Sequence, residues 1–88
     1  MSISKISIRQ IKAARSLVGW SQDDLAEASG VSKPTIGRLE STDSNELIGG
    51  RPETGDAIVA ALEKAGVEFI AENGGGAGVR MKKRRPRR

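Results

Sequence analysis

The chain has 88 residues, a formal net charge of +4 and an isoelectric point near 10.0; its 36% hydrophobic and 30% charged residues are ordinary for a soluble globular protein. So short a chain builds one modest core and leaves no room for a large catalytic cleft. With no cysteine, histidine or tyrosine, it forms no disulfide or thiolate metal site and lacks the commonest general base, so neither enzymatic activity nor a metal or cofactor is expected.

The longest apolar run, Ala57 to Leu62, is far too short to span a bilayer. The opening "MSISKISIRQ" has no uninterrupted apolar stretch followed by a small-residue cleavage site, and a cytoplasmic location is the expectation. The charge is unevenly placed. Residues 82–88, "KKRRPRR", hold six of the fifteen basic side chains, which leaves nine against eleven acidic residues, or −2, on the remainder. The high isoelectric point therefore describes a tail, not the folded body.

In chain order, Ser7 and Gln10 have the spacing of a capping box and start a helix at Ile8. Ile8, Ile11, Ala14, Leu17 and Val18 follow at helical steps as its inward stripe, with Arg9, Lys12 and Ser16 toward water, and Gly19 stops it. Ser21 and Asp24 repeat the capping spacing for a short helix over 22–29, in which Asp23 and Asp24 complement the positive end of the dipole. Leu25, Ala26 and Ala28 are its inward positions, and Gly30 turns the chain. Ser32 caps a third helix; Pro34 fits its first turn, where backbone amides have no intrahelical acceptor to lose. Ile36 and Leu39 face inward. "STDSNELIGGR", residues 41–51, reads as a polar loop with a small apolar latch at Leu47 and Ile48. Pro52 opens a fourth helix to Lys64, with Ile58, Val59 and Leu62 apolar and Gly66 ending it. "VEFI" (67–70) and "VRM" (79–81), joined by glycine-rich turn material, read as a hairpin, the alternative being a flexible linker to the tail.

Gln22, Leu25, Ala26, Gly30, Val31, Ile36 and Leu39 space two helices at a steep angle around a sharp turn. This pattern resembles the helix-turn-helix of the Cro/CI-like transcriptional regulators, or XRE family, over about residues 7–65. The resemblance implies a mainly α, four-helix, lambda-repressor-like domain over residues 1–66. To it the sequence adds a C-terminal β-hairpin (67–81), in place of the additional helix through which many family members dimerise, and a disordered basic tail (82–88).

The resemblance further implies that the second helix of the motif enters the major groove of double-stranded DNA by its first turn: Ser32, Lys33, Pro34 and Thr35, with Arg38 one turn later. Lys33 would reach guanine O6 and N7, Arg38 a guanine or a phosphate, and Pro34 a thymine methyl group. Gln22 matches a family glutamine that bonds a phosphate and braces the reading side chains. Gly37, unfavourable inside a helix by about 1 kcal/mol relative to alanine, marks a close approach to the nucleic acid. Arg51 is offered to a phosphate as readily as to solvent. Arg15 and Glu40 correspond to a family ion pair that orients the first and third helices, whereas Lys5, Arg9 and Lys64 read as solvated charges.

One module reads too few base pairs to select a genomic site, so a homodimer on a palindromic operator is expected, acting as a repressor. The candidate dimer contact is the hairpin stripe Val67, Phe69, Val79 and Met81, with its open strand edges. A second reading, from a different class, is a protein-binding module, an antitoxin or antiactivator that captures a protein partner; the acidic body suits it. The tail can only attract polyanions, without reading sequence.

Overall fold

A computed structural model describes residues 6–41, 52–71 and 74–82. The elements are α1 (Ile8–Val18), α2 (Gln22–Ser29), α3 (Lys33–Glu40), α4 (Pro52–Lys64), β1 (Val67–Ile70) and β2 (Gly78–Met81). Each boundary has a local cause. Ser7 Oγ accepts from the Gln10 amide at 3.2 Å while Gln10 Oε1 accepts from the Ser7 amide at 2.8 Å, so both halves of the capping box form. Ser21 and Asp24 reproduce it at the head of α2, at 3.1 and 2.9 Å. At the head of α3, Ser32 Oγ accepts from the Thr35 amide at 3.4 Å and lies 2.9 Å from Thr35 Oγ1. Gly19 (φ 72°) and Gly30 (φ 79°) end α1 and α2 in the left-handed region, where only glycine turns without steric cost.

The core is built from Ile11 and Ala14 of α1, Leu25 of α2, Ile36 of α3, and Ile58, Val59 and Leu62 of α4, with Val67 of β1 packed among them. Trp20, Val31 and Leu39 close its margin. Two expected core positions are corrected: Leu17 is 46% exposed and Ala28 is exposed. At 3.6 residues per turn Leu17 points about 120° away from Ile11, beyond the stripe that Ile11, Ala14 and Val18 share.

The strands pair antiparallel with Val67 opposite Met81 and Phe69 opposite Val79, so these four side chains share one face. That face turns inward. Val67 is fully buried and Phe69 and Val79 pack against the core, while Met81 stays 44% exposed. The dimer stripe read from the sequence is thereby corrected: an isolated two-stranded ribbon cannot bury its own apolar face, and this one buries it on the chain's own helices. On the other face Glu68 and Arg80 pair across the strands at 3.2 and 3.3 Å. Gln10 ties the ribbon down, its Nε2 donating to the Ile70 carbonyl at 3.3 Å and the Gly78 carbonyl at 3.0 Å. The residue that caps α1 thus also clamps the far ends of both strands.

Gly66 links α4 to the hairpin at φ 111°, and a Cβ there would lie 3.0 Å from Met81 Cε. The end of a methionine can yield, whereas the backbone angle cannot. Gly66→Ala is therefore expected to lower unfolding free energy by about 1–3 kcal/mol in urea titrations, with little of it recovered by adding Met81→Ala. Full recovery in the double variant would show that the side-chain contact, and not the backbone, sets the loss.

Candidate nucleic-acid interface

Packing decides which side of α3 remains available. Ile36 is 1% and Glu40 5% exposed, and these inward positions leave the first turn facing out. Ser32, Lys33, Pro34 and Arg38 are exposed, and Thr35 and Gly37 half-buried. A proline in the first turn lets this helix begin abruptly, so that Lys33 stands at its very mouth. The Lys33 ammonium meets the Asp23 carboxylate from the first turn of α2 at 3.2 Å, both side chains being more than half exposed. Such a pair in water exchanges readily for another partner.

The orientation of α3 is set at its other end. The Glu40 carboxylate, its side chain 3% exposed, accepts from Arg15 Nε at 3.0 Å and Arg15 Nη2 at 2.8 Å, a two-pronged charge-assisted contact. Gln22 Nε2 donates to the same carboxylate at 3.0 Å, and Arg15 Nη1 to the Trp20 carbonyl at 2.9 Å. Four segments converge here: the end of α1, the turn at Trp20, the start of α2 and the end of α3. A buried carboxylate is tolerable only because it is paired and hydrogen-bonded, and that satisfaction fixes the angle of α3 to the other two helices.

Gln22 therefore has a role the sequence alone left open. Its amide nitrogen is engaged with Glu40, while its Oε1 would lie 3.6 Å from a Cβ at residue 37. Gly37 accordingly lies beside Gln22, with ordinary van der Waals room for a methyl group. The sequence reading also missed the Asp23–Lys33 contact, whose partners lie on different helices and carry no local spacing signal. Arg51, the Leu47–Ile48 latch, Lys5 and tail residues 83–88 lie outside the described residues. Among the described residues no helix is long and apolar enough to cross a membrane.

Residues 11–45 match the family model described as helix-turn-helix. The match starts within α1 and runs through α2 and α3, the segments joined by Glu40. No curated protein matches the chain.

Proposed function

We propose that the chain is a DNA-binding transcription regulator of the Cro/CI-like (XRE) kind, a repressor that occupies a palindromic operator as a homodimer; the match of residues 11–45 to the helix-turn-helix family model supports this reading. The observation that carries this reading is the solvent-facing first turn of α3 with Lys33, on a helix whose other end is anchored by the buried Glu40 carboxylate. Lys33 and Arg38 enter the major groove and read guanine edges. Pro34 meets a thymine methyl group, and Ser32 and Thr35 offer hydroxyls to bases or phosphates. Gln22 binds the flanking phosphate and braces the helix. Gly37 presents no side chain where the duplex comes closest. Arg51 and the basic tail take phosphates and add about 0.9 to the salt slope for each one neutralised.

The second subunit is recruited through the hairpin, where Met81 is 44% exposed and, among the described residues, each strand has one edge without a strand partner. Two recognition helices then lie one helical turn of DNA apart, about 34 Å. Selection of bound duplexes from a random pool tests the proposal directly. A two-fold symmetric site with that spacing is the expected product, and a pool that remains random, or yields one unrepeated half-site, would remove the operator-binding dimer.

A further inference from the structure

On the reading that Lys33 faces bases, we infer that Asp23 is a specificity-determining residue that acts through Lys33 by discouraging phosphate contacts. The observation is the contact of the two side chains at 3.2 Å, on the surface formed by the first turns of α2 and α3. An ammonium has three N–H donors. With one donor directed at Asp23, the other two remain for a pair of neighbouring acceptors, and guanine O6 and N7 are such a pair. While the pair is formed, the aspartate biases the cation toward an orientation that suits a guanine edge.

A phosphate is received differently. At Lys33 it brings a negative charge against the Asp23 carboxylate that already pairs with the ammonium. Complexes with arbitrary sequence rest on phosphate contacts almost alone. Asp23 therefore weakens them more than it weakens the complex with a guanine placed opposite Lys33, and the ratio of the two affinities widens.

The test uses the whole chain, a random-sequence duplex and a duplex enriched from a random pool. Asp23→Asn is expected to bind the random duplex about threefold to tenfold tighter, with a salt slope steeper by about 0.9 as Lys33 takes a phosphate. Affinity for the enriched duplex rises less, so the specificity ratio falls. Glu27→Gln, on the exposed side of α2, makes the same change in net charge and should leave that ratio where it was. In a Lys33→Met background the Asp23→Asn effect should shrink to within about twofold, as a double-mutant cycle requires of a residue acting through its partner.

Equal shifts from Asp23→Asn and Glu27→Gln, or an Asp23→Asn effect that persists without Lys33, would overturn the inference. If Lys33→Met weakens enriched-site binding but Asp23→Asn leaves the ratio unmoved, the inference alone fails. If Lys33→Met leaves that binding intact, the placing of Lys33 on a base falls with it.

Discussion

Replacing Lys33 and Arg38 together by alanine is expected to abolish operator binding while leaving the fold in place. Each specific side-chain contact to a base edge is worth about 1–3 kcal/mol. Losing two per half-site thus removes about 2–6 kcal/mol, a fall of roughly 30-fold to 10⁴-fold in affinity, repeated at the second half-site of a dimer. Stability should hardly respond. Both side chains are exposed, and the Asp23 contact of Lys33 is itself solvent-exposed, so the change in unfolding free energy should stay within about 0.5 kcal/mol. Binding titrations against the enriched duplex, with circular dichroism melts of the same samples, separate the two effects. Unchanged binding by a folded double variant would point to the other class of function, capture of a protein partner, in which the first turn of α3 has no part.

Most of the architecture was legible because its signals are local. Ser7, Ser21 and Ser32 each stand one residue before a helix, and Gly19, Gly30 and Gly66 each stand where a helix ends; capping chemistry needs only three or four residues of context. Ile58, Val59 and Leu62 recur at helical spacing and are the buried side of α4. Alternation in the hairpin correctly divided its side chains into two faces, but alternation cannot say which face the helices cover. Val67, Phe69 and Val79 of the apolar stripe were consequently offered to a second subunit when they pack on the chain's own core, with Met81 left exposed. Leu17 was misplaced because hydrophobicity marked it for burial while the turn angle of the helix carried it outside.

The candidate site was legible by a different route. Its exposed residues were located from the resemblance of the motif, and so was the Arg15–Glu40 pair, whose members are 25 residues apart. What could not be read was how side chains are shared. Gln10 signals a capping box and nothing more, yet the same amide reaches carbonyls 60 and 68 residues away. Gln22 reads as a phosphate ligand, and one of its two amide donors is also directed at Glu40. Long-range polar contacts depend on how finished elements pack, and no periodicity in the chain records them.

A large loss of stability should follow the single replacement Arg15→Met. It leaves the Glu40 carboxylate in place, its side chain 3% exposed, with the Gln22 amide still donating to it, and it strips the Trp20 carbonyl of its Arg15 contact. Removing one member of a buried pair costs about 3–5 kcal/mol because the survivor is an uncompensated charge. The Arg15 side chain is 21% exposed, so solvent screening places the expected loss toward the lower end. Even that is a large fraction of the 5–15 kcal/mol, roughly, that holds a small domain together. Chemical denaturation followed by the fluorescence of Trp20, the sole tryptophan, measures it. Arg15→Met combined with Glu40→Leu replaces both charges by apolar side chains and should recover most of the lost stability. It should not recover full operator affinity, because Gln22 then has no carboxylate to hold and the buried polar contact that ties the end of α3 to α1 and α2 is gone. A double variant that regains stability and affinity together would mean that apolar packing alone aims the recognition helix. One that regains stability but binds weakly would assign the buried ion pair to orientation, with the exposed turn depending on a carboxylate that never touches the DNA.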